Sequence, residues 1–198
     1  MGNQAASREK LVTILQLAYS GELAAAYAYR GHWHSVSAPD ERDTIRRIEE
    51  DELRHRDMVG EMLAKLGSQP NPRRELRATI IGRSLQFLCH VTGWLAPMYG
   101  AGKLESRNVR EYETAARYAN DCGAVEVADC LLEMAEVEWD HEHYFRSCVL
   151  KHRLGRRLPL WPEPPAKETI RLSFAQETVP AAPQSRLPLG SPPVTDTI

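Results

Sequence analysis

Apolar positions at the start of the chain recur in steps of three and four. Leu11, Leu15, Ala18, Glu22, Ala25, Tyr29 and Trp33 therefore share one face of a helix predicted over residues 7–35. The SVSAP stretch stops it. A second helix is predicted with Ser37 as its N-cap and Pro39, Asp40 and Glu41 in its first turn. Its inner stripe is Ile45, Ile48, Glu52, His55, Val59, Met62 and Leu66, and Gly67 with SQPNP ends it. Residues 78–99 are apolar with one charge, Arg83, but Gly82, Gly93 and Pro97 break the stretch too often for a membrane span. A third long helix is predicted over about residues 102–121, a turn at Gly123, and a fourth over about 125–153. The stripe of that fourth helix is Val127, Leu131, Met134, Glu138, His141, Phe145 and Cys148. No strand pattern competes. The expected fold is all-α: a ferritin-like four-helix bundle of two short-linked helical hairpins joined by one long crossover.

Proline changes this picture at one end only. Nine of the 13 prolines lie within residues 159–198, which predicts an extended or disordered, Pro-rich C-terminal tail beyond a helical body of residues 1–158. The 198 residues are 42% apolar and 26% charged, an ordinary soluble mixture. A net charge of −2 excludes the electrostatic stripe that nucleic-acid binding needs. The first residues, MGNQAAS, lack the apolar core of a secretory signal, and Ala6 spoils the match to a myristoylation site. Four cysteines without a CxxC pair suit reduced thiols and a cytoplasmic location.

Chemistry enters through carboxylates on stripes that ought to be apolar. Glu22, Glu52 and Glu138 all sit there, and a buried carboxylate is costly unless paired or bound to a cation. Two helices carry Glu-x-x-His, as Glu52 to His55 and Glu138 to His141, which puts an acid and an imidazole one turn apart on one face. Adding a glutamate from each of the other two helices completes the ligand set of a dinuclear carboxylate site. His32 and His34 lie about 80° and 120° around the helix from Glu22 and fall outside that set.

The third helix offers two acids. Glu111 shares a stripe with Leu104, Ala115, Tyr118 and Cys122. Glu105 shares one with Ala101, Val109, Tyr112, Ala116 and Ala119. An internal repeat favours Glu111: Tyr29 follows Glu22 by seven, and Tyr118 follows Glu111 by seven. The expected ligands are Glu22, Glu52, His55, Glu111, Glu138 and His141, with Glu105 the alternative on the third helix. Tyr29 and Tyr118 are candidates to hydrogen-bond the glutamates. Asp51, beside one ligand, is placed to orient the histidine of the facing helix. Carboxylates with imidazoles suit iron, or manganese, rather than structural zinc.

These residues resemble the ferritin-like di-iron carboxylate superfamily over about residues 7–153. Within it, SGELAAAYAYRG (20–31), DELRH (51–55), and GWLAPMYG (93–100) followed by VREYE (109–113) are similar to the demethoxyubiquinone hydroxylase group. The resemblance implies two iron ions, with Glu52 and Glu138 bridging them and Glu22 and Glu111 terminal. The group's His-Tyr element on the third helix corresponds to Arg117-Tyr118 under this alignment. The implied activity is O₂ activation to hydroxylate an apolar, quinone-like substrate, with an external electron donor. The chain carries no CxxC-type rubredoxin module of its own. A lipid-soluble ring allows peripheral membrane contact and leaves a homo-oligomer open. Two rival readings follow from the same ligands: a rubrerythrin- or ferritin-like protein that reduces peroxide or oxidises iron, and a non-catalytic helical protein stabilised by metal.

Overall fold

The computed structural model describes residues 2–178; the remainder of the expected tail, 179–198, lies outside the described residues. Six α-helices follow one another: α1 Gly2–Ser35, α2 Pro39–Lys65, α3 Pro72–Val91, α4 Leu95–Asp121, α5 Val125–Lys151 and α6 Lys167–Thr178, with a short 3₁₀ turn at Gly155–Arg157. No strand occurs among the described residues. The all-helical expectation therefore holds. α1 packs along α2, α3 and α4, α4 packs along α5, and α2 meets α5.

Several helix bounds differ from expectation, beginning with α1, which starts at Gly2 rather than near Ser7. Ala38, not Ser37, caps α2, and no side chain bonds to its first amides. The stretch between the second and third long helices is itself helical. Asn71 starts α3 by accepting from the amides of Arg73 and Arg74 at 3.0 and 3.4 Å. The third long helix begins at Leu95 rather than near 102. Pro97 is tolerated in its first turn because an amide there has no helical partner to lose.

The tail needs the largest correction. Residues 166–179 contain no proline, and 167–178 form α6. The high proline count of 159–198 hid a helix between Pro165 and Pro180. Ile170 of α6 is buried in the main core, and Arg171 pairs with Asp129 and Glu136 of α5 at 2.6 and 2.7 Å. The segment leading to α6 is laid across α4 and α5. Carbonyls of Pro159, Pro162 and Pro165 accept from Tyr99, Ser106 and Trp139. Trp161 is buried and donates to Glu142 at 2.6 Å. Proline cannot donate a backbone hydrogen bond, but its carbonyl remains a good acceptor.

Two apolar clusters form the interior. One contains Leu11, Leu15, Val59, Val109 and Leu131; the other contains Ala25, Ile48, Met98 and Phe145. On α1, α2, α4 and α5 alike, the buried acid lies between members of the two clusters. The polar centre is thereby sealed at both ends by apolar layers.

α3 lies unusually close to α1. A Cβ on Gly31 would meet the backbone of Gln86 at 2.3 Å, and one on Gly82 would meet the backbone of Ala24 at 2.8 Å. Only small residues fit this seam, and the buried residues of α3 are Ala78, Gly82 and Cys89. Its large side chains Leu76, Ile80, Ile81, Phe87 and Val91 are exposed. No helix among the described residues is long and apolar enough to cross a membrane.

Candidate metal centre

Four helices contribute to one buried polar centre. α1 supplies Glu22, α2 supplies Glu52 and His55, α4 supplies Glu105, and α5 supplies Glu138 and His141. Each residue is at most 5% exposed. Their donor atoms form two overlapping groups, each within 4.8 Å: Glu22, Glu52, His55 and Glu138, then Glu52, Glu105, Glu138 and His141. Glu52 and Glu138 belong to both.

The third-helix expectation fails. Glu111 is partly exposed and pairs with Arg107 at 2.9 Å on the rim of a cleft between α1 and α4. Glu105, six residues earlier, is fully buried in the centre. Tyr118 moves out with Glu111: it packs at the edge of the core beside Lys10. Tyr112 takes its place.

The tyrosines cross between helices. Tyr29 of α1 donates to Glu105 of α4, and Tyr112 of α4 donates to Glu22 of α1. Asn108 also donates to Glu105, at 2.9 Å. Asp51 meets the histidine of the facing helix, His141, through Nε2 at 3.1 Å. That bond leaves the Nδ1 of His141 facing Glu52 and Glu138 at 3.5 and 3.6 Å. His55 Nδ1 lies 3.0 Å from Glu138. Val137 occupies the position before Glu138 that Asp51 occupies before Glu52, so the two halves of the centre are not equivalent.

Proton affinities follow from burial and crowding. Burial, with repulsion from Glu52, raises the Glu22 carboxyl well above the usual carboxylate range. Burial raises Glu105 in the same way, and Glu138 adds to it. Burial would also raise Glu138, but the facing imidazoles of His141 and His55 overcome it and hold this acid low. Burial opposes charge on both histidines. The Glu138 contact nonetheless raises His55, and Asp51, Glu138 and Glu52 raise His141 well above the ordinary imidazole value. Without cations, the protonated forms of Glu22, Glu105 and both histidines are thus favoured.

The donor set fits divalent cations. Both oxygens of Glu52, one oxygen each of Glu22 and Glu138, and Nδ1 of His141 are buried without a hydrogen-bond partner. Unsatisfied buried polar atoms are rare because each carries a desolvation cost. Here five lie within the two overlapping groups, and all are Lewis bases. Two divalent cations would balance four carboxylates and displace protons from the site.

An apolar cavity of about 400 Å³ adjoins the centre. α1 lines it with Ala25, Ala28, Tyr29 and His32, α3 with Leu85, Leu88 and Cys89, and the start of α4 with residues up to Leu104. Tyr29 is shared: its ring lines the cavity while its hydroxyl is on Glu105. Leu85 and Leu88 are also exposed to solvent, so the cavity opens beside the apolar outer face of α3.

A family model described as Ubiquinone biosynthesis protein COQ7 matches residues 9–114. That span holds Glu22, Glu52, His55, Glu105 and the residues lining the cavity. No curated protein and no solved structure matches the chain significantly.

Proposed function

The chain belongs to the family of Ubiquinone biosynthesis protein COQ7, a ferritin-like di-iron family, and on that premise we propose that it is a di-iron monooxygenase hydroxylating an apolar, quinone-like ring. In this reading α1–α2 and α4–α5 are the two hairpins of a ferritin-like four-helix bundle, and α3 is the crossover. Glu22, Glu52, His55 and Glu138 would hold one iron, and Glu52, Glu105, Glu138 and His141 the other. When bound, the two irons supply the activation of O₂. The observation that carries the reading is the pair of buried four-donor groups sharing two carboxylates beside an apolar cavity.

The chain's own residues have definable tasks. The apolar layers above and below exclude water. Tyr29 and Tyr112 fix the terminal glutamates from the opposite helix. Asp51 fixes the ring orientation of His141. The cavity orients the ring against Tyr29, and the exposed apolar face of α3 gives contact with the lipid surface where such a substrate resides. The balance is substrate C–H plus O₂, two electrons and two protons, giving substrate C–OH and water. The electrons come from an external donor.

The test is single-turnover hydroxylation. The protein is loaded anaerobically with two Fe(II) per chain, then given a short-chain quinone analogue, a reductant and ¹⁸O₂. The expected product gains one labelled oxygen atom. If oxygen is consumed without labelled product, and many Fe(II) are oxidised per chain, the protein handles iron instead.

A further inference from the structure

His32 is a buried polar residue that the metal centre does not use. It is 2% exposed and lines the apolar cavity, and its Nε2 is buried without a hydrogen-bond partner. Its ring lies nearly parallel to those of Tyr29 and Phe145, with centroids 6.5 and 5.9 Å away. Burial holds its pKa down to about 4, so the imidazole is neutral near pH 7. A neutral imidazole offers one N–H donor and one bare nitrogen, and its tautomer can answer either a carbonyl or a hydroxyl.

We propose that His32 is the residue that recognises an oxygen substituent on a ring bound in this cavity. The inference rests on the reading of the cavity as the substrate site and adds the feature selected there. The remaining lining side chains are apolar, apart from Tyr29, whose hydroxyl is engaged by Glu105, Thr92, whose hydroxyl donates to the Leu88 carbonyl of its own helix, and the weakly polar thiol of Cys89. Shape and apolar area alone would admit any hydrocarbon of the right size. A buried, unpaired nitrogen penalises a ligand that cannot bond to it and favours one that can. A ring oxygen on His32 seats the ring beside Tyr29, and through the hydroxyl of Tyr29 beside Glu105.

The experiment compares two probes of matched bulk on the whole protein, by isothermal titration calorimetry with and without metal. One is a decyl-substituted 1,4-benzoquinone, the other decylbenzene. Wild type is expected to bind the quinone about tenfold more tightly, the effect of one satisfied buried hydrogen bond. His32→Leu is expected to lose that preference by weakening quinone binding, while decylbenzene binds at least as well as before. It should melt no lower than wild type, since an unpaired buried nitrogen has been removed. His32→Gln, which keeps a donor and an acceptor, should retain most of the preference, and it decides the matter if the leucine variant fails to fold. Equal binding of both probes to wild type overturns the proposal, as does a preference that survives in the folded leucine variant. Selective quinone binding without hydroxylation by the iron-loaded protein would sink the monooxygenase reading and leave His32 its role. Hydroxylation with an unchanged KM in His32→Leu would do the reverse.

Discussion

Replacing Glu105 with glutamine, against Glu111 with glutamine as its partner, separates the centre of the protein from its surface. Glu105 stands in one four-donor group, with Glu52, Glu138 and His141. Its loss leaves three donors there, two of them shared with the other position, so one cation per chain should be retained instead of two. Glu111 contacts Arg107 on the surface, and its variant should retain two. Each ion present at about 100 times its dissociation constant adds about 2.7 kcal/mol to stability. In a chain of this size that is roughly 5–11 °C in melting temperature per ion, so two ions give roughly 11–22 °C. Glu105→Gln should therefore show about half the wild-type rise on adding Mn(II), and Glu111→Gln all of it. The cation-free proteins should melt close together, because the buried acid of Glu105 is already held toward its neutral form. Free Mn(II) counted by electron paramagnetic resonance gives the stoichiometry, and calorimetry the melting shift. Two ions in Glu105→Gln with one in Glu111→Gln would refute the assignment.

Three further outcomes are expected. Asp51→Asn should weaken one of the two Mn(II) equivalents by about 10–100-fold and leave the other, because only His141 has a carboxylate on its outer nitrogen; equal weakening of both equivalents would contradict the inequivalence. Ile170→Ala should cost about 2 kcal/mol, near the lower end for buried aliphatic truncation because α6 can settle, and should speed amide exchange in α6. His32 is depressed from 6.5 to about 4 in the folded chain, so between these values the unfolded chain binds more protons and stability falls as pH falls. Wild type should lose about 3 kcal/mol relative to His32→Leu between pH 7 and pH 4, measured by urea unfolding across that range; parallel pH profiles would contradict it.

The sequence carried most of the centre because burial wrote it there. Glu22, Glu52, His55, Glu138 and His141 stand on stripes whose other members are apolar, and helical periodicity alone brings them inward. The choice on α4 was not legible from the repeat. Glu105 is followed by Tyr112 at the same seven-residue spacing as Glu111 by Tyr118. The separations to Glu138, 33 and 27, miss the 30 between Glu22 and Glu52 by three in either direction. The better signal was the stripe itself: Val109, Ala116 and Ala119 beside Glu105 are all fully buried. α6 is masked in the composition because nine prolines within forty residues outweigh the one proline-free interval that a helix needs.

The close seam between α1 and α3 has a consequence for how the molecule behaves in water. By meeting α1 almost backbone to backbone at Gly31 and Gly82, α3 has no inward room for large side chains. Leu76, Ile80, Ile81, Phe87 and Val91 are displaced to its outer side, where they add nothing to the interior. The helix is in effect turned inside out, and its stickiness is a product of its tight fit. A purified sample should accordingly self-associate as it is concentrated, and mild detergent should disperse it without loosening the fold.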